Sequence, residues 1–250
     1  MHLVSIIMPT FNSSSTIADS IRSVLEQSYS NWELLITDDC STDDTLDIIR
    51  SFSASDSRIK VFQNAENSGA GISRNNSISN AQGRFIAFLD SDDMWVKDKL
   101  LEQINFMLES DYALTYTYYI KVDENNNVKG KIHPPLDVTY HQLLKSNVIG
   151  CLTAIYDVDK IGKVYMPAIR KRQDMALWLK ILQVIPKAYC LPKELAIYKE
   201  GHQSLSSNKY KILYSQWRFY RNYLGFGVLK SLWYFQFYIV RALMKHKLNS

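Results

Sequence analysis

Residues 85–95 read FIAFLDSDDMW: five apolar positions, then Asp90, Asp92 and Asp93 within four residues, then Trp95. A short apolar run bounded by polar groups reads as a buried strand. Carboxylates this close repel one another and are costly to bury unpaired, so they call for cations or hydrogen-bond donors. Oxygen-only ligands suit a hard divalent ion such as Mg2+ or Mn2+. The alternative is a solvated acidic turn that starts the next helix.

Upstream, VSIIMP and WELLITDD read as strands, and STIADSIRSVLEQS between them places Ile17, Ile21, Val24 and Leu25 at helical spacing. CSTDDTLDIIRSF opens a second helix, with Ser41 and Asp44 spaced as a capping box. RIKVFQN is a third strand, and GISRNNSISNAQG a third helix ended by Gly83. Strands alternating with helices in this way predict an α/β fold, Rossmann-like, with a mostly parallel sheet and helices on both faces. Ligands of such sheets sit beyond the carboxyl ends of the strands. The residues expected at that rim are Pro9 to Asn12, Asp38 to Ser41, Asn64 to Gly71, and Asp90 to Asp93.

Downstream, VKDKLLEQINFMLES is an amphipathic helix and YALTYTYYIKV a strand. TYHQLLKS suggests a helix, VIGCLTAIYD a buried strand, DMALWLKILQ a helix and LAIYKE a strand. The net charge of +4 conceals an asymmetry. Residues 201–250 hold eight Lys or Arg and no Asp or Glu, which leaves 21 basic against 25 acidic residues in residues 1–200. Three cysteines without CxxC spacing suggest neither a disulfide framework nor a zinc site. MHLVSIIMPT lacks a basic leader, so a first strand and a cytoplasmic chain are expected.

No Gly-x-Gly-x-x-Gly follows the first strand and no P-loop signature occurs. Instead IIMPTFNS, LLITDDCSTDDT, NSGAGISRN and FLDSDDMW, in this order, resemble glycosyltransferase family 2, the nucleotide-sugar transferases of the GT-A fold. The resemblance spans about residues 3–205. It implies a catalytic domain over 1–205, with a nucleotide-binding half at 1–95 and an acceptor-binding half at 96–205. It also implies an inverting, metal-dependent transfer of a hexose from a UDP-sugar, forming a β-glycosidic bond. The acceptor would be a sugar, polyprenyl-diphosphate-linked, in synthesis of a bacterial surface polysaccharide such as O-antigen or capsule.

Carried over residue by residue, the resemblance sets the Pro9-Thr10-Phe11 loop, with Asn12, against the uridine. Asp39 accepts from uracil N3–H, although Cys40 stands where the family has Gly, which leaves Asp38 as the other choice. Asn67 and Gly69 open a loop the nucleotide approaches, and Arg74 lies near base and diphosphate. Asp90 and Ser91 fall beside the ribose, and Asp92 holds Mn2+ or Mg2+. His202 completes the metal shell or stabilises the leaving phosphate, unless it is an ordinary exposed histidine. In IRKRQDMALWLKIL, Gln173 replaces the family's Glu, and Asp174 is the candidate catalytic base or a helix first-turn acid. Trp178 lines the acceptor pocket or packs in the core.

Residues 206–250 mix basic and aromatic residues around an uncharged run, Ser231 to Val240, too short to span a bilayer, which takes ~20 residues. They are expected to form a helical segment lying on the inner face of the cytoplasmic membrane; packing onto the domain is the alternative. Nothing in residues 1–200 supports a nucleic-acid partner. A sugar-nucleotide nucleotidyltransferase and a noncatalytic nucleotide-sugar-binding scaffold are the competing functional readings.

Overall fold

A computed structural model describes residues 1–200 and 209–247. Strands β1 (Val4–Thr10), β2 (Trp32–Asp38), β3 (Ile59–Gln63) and β4 (Phe85–Phe88) alternate with helices α1 (Ile17–Leu25), α2 (Thr45–Ser55) and α3 (Ala70–Asn80). There follow β5 (Met94–Trp95), α4 (Lys99–Glu109), β6 (Leu114–Val122), β7 (Val128–Ile132), β8 (Asp137–Val138) and α5 (Tyr140–Lys145). A 3-10 turn (Cys151–Thr153), β9 (Ile155–Asp157), α6 (Val158–Ile161), α7 (Gln173–Ile181) and β10 (Ala188–Lys199) complete this part. Helix α8 (Lys209–Arg218), a π-helical turn (Phe219–Tyr223) and α9 (Val228–Lys247) end the chain.

The strands form one sheet in the order β3-β2-β1-β4-β9-β6-β10-β5, with β7 beside β6 and β8 beside β10. The long pairings, β1 with β2 and β6 with β10, are parallel, and short antiparallel strands complete the second half. The expected mixed α/β sheet is therefore present. The chain winds from β1 out to β3 and returns to β4 on the other side of β1, so the order reverses between β1 and β4. A crevice at such a switch point, outside the carboxyl ends, is where open α/β sheets take ligands.

Alternation of side chains along each strand divides the interior into two layers. Ile7, Leu35, Ile86 and Phe88 face α3, α5 and α7; Ile6, Met8, Leu34, Ile36 and Leu89 face α1, α2 and α4. Helices thus cover both faces, and β1 and β2 are buried along their whole length. The C-terminal helices join the first layer through buried Phe219, Tyr220 and Tyr234, so the segment packs on the domain rather than standing apart.

Three local readings are corrected. The Ser41/Asp44 capping box does not form: Asp44 caps α2 without a side-chain bond, while Ser41 donates to Asp38. VIGCLTAIYD is a 3-10 turn and a three-residue strand, since a short apolar run does not by itself distinguish strand from turn or helix. Gly83 does not cap α3, which ends at Asn80. Gly83 instead lies against β1: a Cβ there would sit 2.6 Å from the Ser5 nitrogen and 2.7 Å from the Leu3 carbonyl oxygen. Gly83→Ala is therefore expected to destabilise by about 2 kcal/mol through overpacking against backbone. A melting temperature equal to the parent's would contradict this.

Candidate functional site

The carboxyl ends of β1, β2 and β4 converge on the switch-point crevice. Pro9 and Thr10 lie within β1 rather than in a loop, and the loop itself starts at exposed Phe11. The Thr10 hydroxyl is buried and has no hydrogen-bond partner among the described residues, a polar atom left for a ligand. Asn12, at φ 48°, staples the loop to the β2–α2 connection: its amide donates to Ser41 Oγ and its Oδ1 accepts from the Thr42 amide. Asn12 is thereby committed to the loop's shape.

At the end of β2, Asp38 and Asp39 divide the work. Asp38 accepts from the Ser41 amide and hydroxyl and so folds its own turn. Asp39 Oδ1 accepts from Asn64 Nδ2 at 2.7 Å and the Ser68 amide at 2.9 Å, and Oδ2 from the Gly69 amide at 2.7 Å. A carboxylate oxygen has two lone pairs, so Oδ2 keeps one acceptor position open. Cys40 between these loops has φ 62°, which explains why glycine suits that position. Asn67 is exposed and donates to the Asp39 carbonyl. Gly69 has φ 88° and open space around its Cα, so it serves backbone conformation at the start of α3.

Arg74, on α3, is buried and pairs with Asp90 at the end of β4. Burial opposes its charge, yet Asp90 and, further off, Asp174 more than offset this and raise its pKa. Its Nε has no hydrogen-bond partner among the described residues. Ser91 turns back toward β1, sharing a hydrogen bond with Ser13 Oγ at 2.9 Å and accepting from Thr16 Oγ1 through its carbonyl. Ser91 therefore shapes the acidic turn.

Asp92 reaches the opening of the crevice. Desolvation by the surrounding protein, then the Asp90 charge, pushes its pKa up to about 6. Asp93 is buried, and burial followed by the charges of Asp92 and Asp90 raises it well above the ordinary range. The Lys199 amide at the end of β10 donates to Asp93 Oδ1 at 3.1 Å and ties the two halves of the sheet together. Among the described residues, no three His, Cys, Asp or Glu side chains make a protein-only metal shell. A divalent ion held by one or two carboxylates with substrate phosphates and water needs no such shell, and uncompensated charge on Asp92 fits that donor set. His202 lies outside the described residues.

From the other side of the crevice comes α7. Asn75 on α3 holds the preceding loop twice, donating to the Met166 carbonyl and accepting from its amide, both at 2.8 Å. Gln173 packs against Gly71. This brings Asp174 within electrostatic reach of Arg74, with Asp174 Oδ2 accepting from Asn147 Nδ2 at 2.7 Å. Trp178 is fully buried and meets Phe88 edge to face at 5.4 Å, so it belongs to the core and not to an acceptor pocket. Two neighbours were not evident in the sequence: Asn147, bonded to Asp174, and Cys151, whose thiol is within electrostatic reach of Arg74, Asp90 and Asp174 and is kept neutral by burial. Neither carries a motif: Asn147 follows α5 and Cys151 opens the 3-10 turn.

Residues 5–159 match the model of glycosyl transferase family 2. The chain is 43% identical over 244 residues to a putative teichuronic acid biosynthesis glycosyltransferase, TuaG, of Bacillus subtilis, covering 97% of each. It is 41% identical to the Escherichia coli UDP-Glc:α-D-GlcNAc-diphosphoundecaprenol β-1,3-glucosyltransferase WfgD, covering 98% of this chain and 95% of that one. Among solved structures, S. aureus TarS with UDP-GlcNAc superposes with a TM-score of 0.70 at 24% identity, over 89% of this chain and 67% of that one. The Pyrobaculum calidifontis mannosyltransferase PcManGT with GDP-Man and Mn2+ gives 0.67 at 15%, over 96% and 73%.

Proposed function

The chain belongs to glycosyl transferase family 2, and from that premise we propose that it moves a hexose from a UDP-sugar to a saccharide borne on a polyprenyl diphosphate. The product would be a β-linked unit of a bacterial surface polysaccharide. One observation carries the reading: buried Arg74 pairs with Asp90 of the acidic turn and lies within electrostatic reach of Asp174 of α7, so donor-side and acceptor-side carboxylates act on one buried guanidinium. The names of the two relatives, one in teichuronic acid synthesis and one with a UDP-glucose donor, support the substrate class.

In this reading the open lone pair on Asp39 Oδ2 accepts from uracil N3–H, and Asp90, oriented by Arg74, meets the ribose with its second oxygen. Thr10 offers its unpaired hydroxyl. Mn2+ or Mg2+, held by Asp92, would act as a Lewis acid on the charge of the leaving diphosphate. Asp174 takes the proton of the attacking hydroxyl: Asn147 fixes Oδ2, which leaves Oδ1 to work as base. Single displacement inverts the anomeric carbon, so an α-linked donor gives a β product.

Calorimetric titration of UDP with and without Mn2+, followed by UDP release from a panel of UDP-hexoses with a GlcNAc-diphosphate-lipid acceptor, tests this. UDP binding without transfer from any hexose would restore the scaffold reading. The pH dependence has a definite sign. With its pKa near 6, Asp92 takes up a proton between pH 7 and pH 5, so metal-dependent UDP affinity should fall about tenfold over that range. The metal-free fold should change the opposite way, because a carboxyl with a raised pKa lowers stability as pH rises from the unfolded value of 3.8 through about 6. An affinity flat between pH 7 and pH 5 would remove Asp92 from the metal.

The same reading lays the C-terminal segment on the cytoplasmic membrane surface. Among the described residues no helix is long and apolar enough to cross a bilayer. Helix α9 turns Tyr234 inward but leaves Leu229 84%, Leu232 49% and Trp233 57% exposed, a face suited to an interface. Leu229→Asp with Trp233→Asp should reduce cosedimentation with anionic vesicles several-fold while leaving the melting temperature unchanged; equal cosedimentation would count against the membrane role.

A further inference from the structure

A second cavity, of about 530 Å³, lies outside the nucleotide crevice, between the stretch preceding α7 and the α8–π-turn segment. Three cations line it, Arg170, Lys171 and Arg218, together with Tyr214, Phe219 and Tyr223. Among the described residues none of the three cations has a carboxylate partner, and every residue from 201 to 250 is free of Asp and Glu side chains. Unpaired guanidinium and ammonium groups gathered in one concavity favour an anion with several oxygens.

The rest of the wall is mostly apolar, Ile169, Tyr214, Phe219 and Tyr223, with Ser215 and Asn222 the polar exceptions. The π-helical turn is a rare geometry associated with functional sites. Here it stacks Phe219 on Tyr223 at 5.2 Å, and both residues line the cavity. Inorganic phosphate or diphosphate gains nothing from that surface, whereas an anion carrying a hydrocarbon chain uses both parts. The position is specific too. Lys171 stands three residues before Asp174, and Arg172 between them donates to the Tyr238 hydroxyl of α9 at 2.7 Å. The stretch that lines the groove therefore leads directly into the helix turn that carries the proposed base and is tied to the helix with the exposed apolar face.

We propose that this groove holds the diphosphate and first isoprene units of the lipid-linked acceptor, with Arg170, Lys171 and Arg218 on the diphosphate and Tyr214, Phe219 and Tyr223 on the chain. The assignment rests on the glycosyltransferase reading above for its acceptor, but its test does not require turnover. With UDP and Mn2+ saturating, so that the nucleotide crevice is filled, farnesyl diphosphate and inorganic diphosphate are titrated separately. Farnesyl diphosphate should bind the parent at least tenfold more tightly than inorganic diphosphate. The Arg170→Ala/Lys171→Ala/Arg218→Ala variant should lose at least tenfold for farnesyl diphosphate, with UDP affinity unchanged. Equal affinity for both ligands would make the groove a plain anion site and overturn the proposal, as would unaltered farnesyl diphosphate binding by the variant. Arg170, Lys171 and Arg218 are solvent-facing, so the fold should survive. Tyr214→Ser, at a residue 64% exposed, offers an independent variant that should weaken farnesyl but not inorganic diphosphate. Failure of the functional reading would appear separately, as absence of sugar transfer by the parent protein.

Discussion

Asp174→Asn is expected to lower kcat by about 10³, within the 10²–10⁴ typical of a general base, while UDP affinity stays at the parent's value. Asparagine keeps the shape, and its side-chain oxygen can still accept from Asn147 Nδ2, so the geometry of the α7 entrance persists. What is removed is the ability to take a proton. If Asp174 served only as an acidic residue in the first turn of α7, the change would appear as about 0.3–1 kcal/mol of stability with transfer intact. UDP release under saturating donor and acceptor, paired with a melting curve, separates the two. A kcat within tenfold of the parent would place the base elsewhere.

The second large effect is expected at Arg74. Its side chain is 9% exposed and that of Asp90 31%, so removing the guanidinium leaves a mostly desolvated carboxylate without its partner. Breaking a buried pair costs 3–5 kcal/mol, and the partial exposure of Asp90 argues for the lower end, about 3 kcal/mol. For a chain of this length that corresponds to a melting temperature lower by roughly 6–12 °C in Arg74→Met. Adding Asp90→Asn should recover part of the loss, because the second change removes the stranded charge; the double-variant cycle reads that coupling directly. A loss under 1 kcal/mol in Arg74→Met would mean that the pair contributes little. The folded fraction of Arg74→Met should also bind UDP less tightly, since among the described residues Arg74 is the side chain that bonds the Asp90 carboxylate.

Much of the fold was legible because the first four strands are short apolar runs with polar ends, a pattern set by burial on both faces of a parallel sheet. FIAFLDSDDMW in particular marked both a central strand and its ligand-facing end. The second half was harder to read. Its strands are short or bulged, and β10 starts well before the LAIYKE run that announced it, with register shifts around Glu194. Within the site, residues carried by the four strand-end loops were visible in sequence, yet their division of labour was not. Asn12 and Ser91 turned out to brace loops through bonds to Thr42 and Ser13, partners 30 and 78 residues away. Such pairings depend on loop geometry that no local pattern encodes. Asn147 and Cys151 escaped for the same reason, and Trp178 was ambiguous because a helix-borne tryptophan near a site reads alike in core and pocket.

Tyr220 donates to the Leu144 carbonyl at 2.6 Å from within the same apolar layer that holds Phe88 and Trp178. The C-terminal helices are thus part of the folding unit, and unfolding them alone would open that layer to water. Thermal denaturation should accordingly be a single cooperative event in which signals from Trp217 and Trp233 on the tail and from Trp32 on β2 vanish together. Cleavage ahead of α8 should therefore lower the melting temperature of the remaining domain rather than leave it unchanged.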